Sequence, residues 1–165
     1  MPRAVRTYLE MTNPADLDGA ASPSPGAIVE RVEACPPAVW RRLYTEVGQP
    51  YHWVDRLGWT DAEITAYLAD PALELWLLRD EGETGGYFEL RAHPDGAVEV
   101  AYFGLLPAFV GRGLGKFMLT RAVERAWAKG ATRVWLHTSS LDHTSALSNY
   151  LARGFGIWKQ ETYEV

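Results

Sequence analysis

A chain of 165 residues is long enough for one α/β domain with its own core and too short for two. At 47% hydrophobic and 22% charged residues, its composition is that of a globular protein and excludes an intrinsically disordered one. The net charge of -5 supplies no basic field, so neither nucleic acid nor an anionic membrane is expected as a partner.

In chain order, residues 1–26 read as a poorly ordered arm, because Asn13-Pro14, Pro23 and Pro25-Gly26 punctuate a run of small residues. One domain is expected over 27–165. Ala27–Val32 reads as a short strand. Val39, Trp40, Leu43, Tyr44 and Val47 recur at helical spacing, and Gly48 stops that helix. Thr60-Asp61-Ala62-Glu63 is a capping box opening a second helix, which carries Ile64, Tyr67 and Leu68 on one face and closes near Pro71.

Three strands are expected at 74–80, 86–91 and 98–105. The turn chemistry of Glu81-Gly82-Glu83 and Pro94-Asp95-Gly96 between them makes the three an antiparallel meander. A long helix follows Gly115 and ends at Gly130. A strand at 133–138, a helix at 145–153 and a last strand from Phe155 complete the chain. The order β-α-α-β-β-β-α-β-α-β implies an α/β (α+β) fold, with a mixed, mostly antiparallel sheet flanked by helices.

Cys35 is the only cysteine, which excludes an intrachain disulfide and a multi-cysteine metal site; no metal is expected. Residues 1–13 lack the apolar core of a signal peptide. No apolar run approaches the ~20 residues that a spanning helix needs. A soluble, cytoplasmic protein is expected, as monomer or homodimer.

The most informative segment is Phe109-Val110-Gly111-Arg112-Gly113-Leu114-Gly115-Lys116, between a strand and a helix. Free N–H groups and the helix dipole attract anions there, three glycines allow close backbone approach, and Arg112 and Lys116 add positive charge. The spacing is not the G-x-G-x-x-G of a dinucleotide fold. Nor is it a P-loop, whose first glycine would fall on Val110 and whose hydroxyl residue is replaced by Phe117.

This block follows a strand and Pro107 and resembles the [Gln/Arg]-x-x-Gly-x-[Gly/Ala] signature of the GCN5-related N-acetyltransferase (GNAT) family, with Gly113 and Gly115 in register. Asn149-Tyr150-Leu151-Ala152-Arg153-Gly154-Phe155 resembles the family's helix ending in Tyr-x-x-x-Gly-Phe. Val110 stands at the Gln/Arg position, and His143 where an Asn that bonds pantetheine is frequent. The resemblance implies transfer of an acetyl group from acetyl-CoA to a small-molecule or peptide primary amine, directly within a ternary complex. It places the pyrophosphate on Gly111, Arg112, Gly113, Leu114, Gly115 and Lys116, and pantetheine along Phe103, Gly104 and Leu105, with His143 nearby. A non-catalytic acyl-CoA-binding or sensing module is the alternative.

Amine acetylation needs a base for the ammonium and an acid for the leaving thiolate. Glu99, eleven positions before Val110, matches a glutamate of some family branches; strand alternation puts it on the face of Ala101, Phe103 and Leu105. The other reading is a strand carboxylate balancing an arginine. Tyr150 matches the family tyrosine beside the CoA sulfur, or else is a core aromatic. Tyr51, His52 and Trp53 fall where the family covers its acceptor. Trp53 and Trp59 either hold the substrate or fill the gap between two helices. Ser139, Ser140, Asp142 and His143 do not form a hydrolase set, since the chain has no Gly-x-Ser-x-Gly.

Overall fold

The computed structural model describes residues 2–165. Their seven strands form one sheet: β1 (Arg3–Met11), β2 (Ala27–Val32), β3 (Leu73–Asp80), β4 (Glu83–Ala92), β5 (Ala97–Leu105), β6 (Arg133–Ser139) and β7 (Gly156–Glu164). The spatial order is β2-β3-β4-β5-β6-β1-β7. Every neighbouring pair is antiparallel except β5 and β6, which run parallel and are joined by a helical crossover. The helices are α1 (Pro37–Gly48), α2 (Asp61–Leu68), α3 (Leu114–Ala128) and α4 (Ala146–Ala152). The capping box is formed: the Glu63 amide donates to Thr60 Oγ1 at 3.2 Å, and the Thr60 amide donates to Glu63 Oε1 at 3.1 Å. No helix among the described residues is long and apolar enough to cross a membrane.

The segment expected as a poorly ordered arm is the main departure (Met1 itself lies outside the described residues). β1 sits inside the sheet, antiparallel to β6 on one side and β7 on the other. Thr7, Leu9 and Met11 are buried on one face, while Arg6, Tyr8 and Glu10 lie on the other together with the buried Ala4. A strand with one polar face and charges at both ends carries a weak apolar signal, and its partners lie over a hundred residues away. Residues 12–26 are tied down in turn. The Asp18 amide donates to Arg153 O at 2.9 Å, the Ala20 amide to Thr120 Oγ1 at 2.8 Å, and Ser24 Oγ to Asp80 Oδ1 at 3.1 Å. Gly154 ends α4 with φ 110°, and a Cβ there would run into the Asp16 carbonyl.

Two cores cover the two faces of the sheet. One packs α3 against Leu9, Phe88, Leu90, Val98, Val100 and Val134; the other packs α1 and α2 against Leu75, Leu77 and Tyr87. The buried Glu74 carboxylate of β3 fastens the far end of α3. It accepts from Arg125 Nε at 3.0 Å, Arg125 Nη2 at 2.9 Å and Lys129 Nζ at 2.6 Å. Burial alone would raise its pKa, but these cations bring it down to about 2.

Two irregularities of β5 open a gap in the sheet. Its pairing with β6 covers only Ala97, Val98 and Glu99, so residues 100–105 have no partner on that side. On the other side the register shifts between Glu89↔Tyr102 and Leu90↔Val100, leaving Ala101 as a bulged extra residue.

Candidate active site

A cavity of about 490 Å³ opens at the N-terminus of α3 and runs along the unpaired stretch of β5 toward α4. Gly111 and Gly113 have φ of 81° and 77°, a conformation that glycine adopts without strain, and Gly113 is the N-cap of α3 with no side chain capping the helix. Gly115 has an ordinary backbone, and a Cβ there would meet only Leu105 Cδ1 at 3.7 Å and Asn149 Nδ2 at 4.0 Å. Its absence keeps the wall open to a ligand, and the helix N–H groups with their dipole favour an anion there.

Gly111, Gly113, Gly115, Lys116, His143 and Phe103 to Leu105 all line this cavity. Gly104 also has a packing reason, because a Cβ there would collide with Val47 Cγ1. His143 Nδ1 accepts from the Ser145 amide at 3.1 Å, which leaves Nε2 as the ring's donor. Two expected members turn their side chains elsewhere. Arg112 is turned away: its Nη2 donates to Asp80 Oδ2 at 2.8 Å and its guanidinium lies over Phe109. Leu114 is buried in the α3 core, since it falls on the inward side of the first turn. Sequence reasoning did not single out Asn149 and Arg153, although both line the wall and both belong to the block from Asn149 to Phe155. The Arg153 Nε is buried without a partner, and neither Arg153 nor Lys116 forms an ion pair among the described residues.

A second cavity, of about 620 Å³, lies on the opposite side of the same wall. Glu99 lines it, but the bulge at Ala101 corrects its expected neighbours. Phe88 opposes Phe103, whereas Arg91 opposes Glu99, three positions along β4 and therefore on the other face. Glu99 shares its face with Tyr102, not with Phe103 and Leu105. Nor does it balance an arginine. Arg91 Nη1 donates to Asp70 Oδ2 at 3.2 Å, and the contact of Glu99 is His93 Nε2 at 2.9 Å.

The connection between α1 and α2 forms the roof and contributes Tyr51, His52 and Trp53, all lining the cavity. His52 adopts φ 62°, a left-handed turn that ends the short helical turn at Gln49–Tyr51. Trp53 fits into the space that Gly48 leaves, and its edge meets Tyr102 at 5.1 Å. Trp59 is half-buried and packs against the core, stacked on Trp40 at 5.6 Å. The roof is held by a buried ion pair that sequence reasoning did not find. Glu89, fully buried, accepts from Arg56 Nη1 at 3.1 Å, Trp40 Nε1 at 2.8 Å and the Tyr67 hydroxyl. Burial works against the charge on Arg56, but Glu89 together with Tyr67 and Tyr102 outweighs it and raises its pKa.

Arg6, His137, Ser139 and Tyr163 complete the floor from β1, β6 and β7. Arg6 lies over the Tyr163 ring at 4.4 Å and donates to Glu161 Oε1 at 3.1 Å. His137 keeps a solvent-exposed edge, but desolvation lowers its pKa, with Glu99 opposing that shift.

Tyr51, Trp53, Phe103, Asp142 and Tyr150 line both cavities. Asp142 is fixed there: Oδ2 accepts from Thr138 Oγ1 at 2.7 Å and the Ser139 amide at 2.8 Å, and Trp53 Nε1 lies 3.4 Å from Oδ1. The Tyr150 ring packs edge-on against Phe103 and Phe155. Burial raises its pKa and Asp142 adds to the rise, so the phenol stays protonated through neutral pH.

A mixed sheet that parts beside a glycine-lined helix N-terminus is the architecture of an acyl-CoA N-acyltransferase. Residues 39–155 match the model of the acetyltransferase (GNAT) family, and the chain belongs to that family. A mycothiol acetyltransferase of Corynebacterium efficiens is 26% identical over 161 residues, covering 93% of this chain and 51% of that protein. Another, from Saccharopolyspora erythraea, is 32% identical over 89 residues, or 54% of this chain and 29% of its own length. The chain thus spans about half the length of these relatives or less. A GCN5-related N-acetyltransferase from Sphaerobacter thermophilus superposes with a TM-score of 0.72 at 18% identity, over 97% of this chain and 50% of that one; this likeness is one of fold.

Proposed function

We propose that the chain transfers an acetyl group from acetyl-CoA directly to the primary amine of a small polar acceptor, both being bound at once. The observation that carries this reading is the pair of cavities meeting at Phe103, Asp142 and Tyr150, with the anion-favouring helix end in one and the Glu99 carboxylate in the other. Two cavities that meet at one set of residues suit a ternary complex better than successive occupation of a single pocket.

The chain's residues fit acetyl-CoA. Gly111 to Lys116 would hold the pyrophosphate through backbone N–H groups and the Lys116 ammonium, with Arg153 and Asn149 as further donors. The free backbone of residues 100–105 would pair with the pantetheine amides as an added strand does. Acetyl-CoA supplies the activated acyl group. Glu99 takes the proton that the acceptor ammonium gives up, directly or through a water, and Tyr150 donates its phenolic proton where the thiolate leaves. The mixed charge of the acceptor cavity, with Arg6, Arg91, Asp55 and Glu99 on its walls, suits a polar amine rather than an apolar one. The relatives named mycothiol acetyltransferases support acetyl transfer to a small molecule.

The test is thiol release from acetyl-CoA against a panel of primary amines (an amino sugar, a polyamine, amino acids and a peptide N-terminus), with mass spectrometry for the acetylated product. Glu99→Gln is expected to keep acetyl-CoA affinity and lower turnover on the order of 10²-fold, the loss shrinking as pH rises and free amine becomes available. Binding of acetyl-CoA with no acetylated product from any amine would replace this reading by that of a CoA-binding module.

A further inference from the structure

Glu99 is held by a residue outside the cavity it faces. His93 lies in the β4–β5 turn, where its amide donates to Ala97 O at 2.9 Å and its carbonyl accepts from the Gly96 amide at 3.0 Å. Its ring packs on Trp135 of β6 at 5.5 Å, and Trp135 is the register partner of Glu99 itself. The imidazole is thus fixed by its own turn and by a neighbouring strand. It meets Glu99 Oε1 through Nε2 at 2.9 Å, while Glu99 Oε2 has no hydrogen bond from the described residues. The Glu99 side chain is 13% exposed and lines the acceptor cavity; His93 is not part of that wall.

We propose that His93 is a positioning residue for Glu99: its Nε2–H donates to Oε1 and so presents Oε2 to the incoming ammonium. The inference rests on the reading of Glu99 as base. The ammonium N–H breaks, the proton joins Oε2, and the lone pair left on nitrogen becomes the nucleophile; His93 exchanges no proton in that step. A glutamate side chain has three torsions to fix, and a charge-assisted bond to a rigid donor removes that freedom before substrate arrives. Without the bond, the carboxylate samples rotamers that point both oxygens away from the cavity.

His93→Phe is the discriminating variant, because it keeps an aromatic ring against Trp135 and removes the N–H. Turnover is expected to fall about tenfold, corresponding to ~1.4 kcal/mol, in thiol release with the panel amine that wild type acetylates fastest. Acetyl-CoA affinity by calorimetry and the acceptor KM should stay within about twofold, since positioning acts on the chemical step. His93→Gln, which offers an amide N–H, should recover part of the loss. Adding His93→Phe to Glu99→Gln should cost nothing further, because the two residues act through one carboxylate.

NMR of protein labelled with 15N-histidine reads the pair without any acceptor: the His93 Nε2–H signal should be protected from exchange in wild type and lose that protection in Glu99→Ala. Full activity of His93→Phe overturns the positioning role, while a slow Glu99→Gln beside it leaves Glu99 as base. A fully active Glu99→Gln removes the base and this inference together. An additive loss in the double variant, or an Nε2–H signal indifferent to Glu99→Ala, also overturns the role of His93.

Discussion

The two cavities share one wall but are built from different material. The helix-end side takes its open main chain from one segment, with Gly111, Gly113 and Gly115, the first turn of α3 and the unpaired edge of β5, while the α1–α2 connection and residues 142–153 complete its wall. The acceptor side is mostly side chains, gathered from the α1–α2 connection, β1, β5, β6 and β7. Backbone recognition depends on conformation and tolerates drift elsewhere in the sequence. Side-chain recognition depends on which residues the fold brings together. The family signatures accordingly lie at the first cavity, and the proposed function puts acceptor choice in the second.

The sharpest way to break the comparison is Glu89→Ala. It leaves the Arg56 guanidinium buried without its partner beneath the roof of the acceptor cavity. The expected loss is about 3–5 kcal/mol of stability, measured by denaturant unfolding. A loss under about 1 kcal/mol would show that Arg56 finds water and that the roof does not depend on the pair.

Gly115→Val probes the backbone-built side. Its Cβ would make only ordinary contacts, with Leu105 Cδ1 at 3.7 Å and Asn149 Nδ2 at 4.0 Å, and would narrow the cavity, so acetyl-CoA affinity should drop about tenfold or more (~1.4 kcal/mol) with little change in melting temperature. Gly113→Ala differs in kind, because φ 77° makes the cost conformational, about 1–2 kcal/mol of stability. Calorimetry and thermal melts on both variants separate the two; unchanged affinity in Gly115→Val would remove the pyrophosphate from this helix end.

The smallest effect is expected from Arg112→Ala. Its side chain pairs with Asp80 and is 48% exposed, so acetyl-CoA affinity should change by about twofold or less and stability by at most ~1 kcal/mol. A large loss of affinity would mean that Arg112 leaves Asp80 when the ligand binds.

Much of the fold beyond Ala27, with the glycine-rich helix start, was legible because its signals are local. Three glycines after a strand, the capping box at Thr60 and the Pro94-Asp95-Gly96 turn each act over a few residues, and each forms as its chemistry dictates. The side-chain directions of Arg112 and Leu114 were not legible, for the opposite reason. Proximity along the chain put them in the loop, but helix rotation buries Leu114 and Asp80 draws Arg112 away.

By itself the sequence determined the order of elements from Ala27 onward, the mixed sheet and the glycine-rich helix start, since hydrophobic period and turn chemistry are encoded within each segment. Only the tertiary structure decided that residues 3–11 form a strand between β6 and β7, because that strand's hydrogen bonds are made with residues more than a hundred positions away. It also decided which face Glu99 occupies. One bulged residue at Ala101 reverses the alternation of β5, and a bulge is a property of how two strands pair rather than of either strand alone.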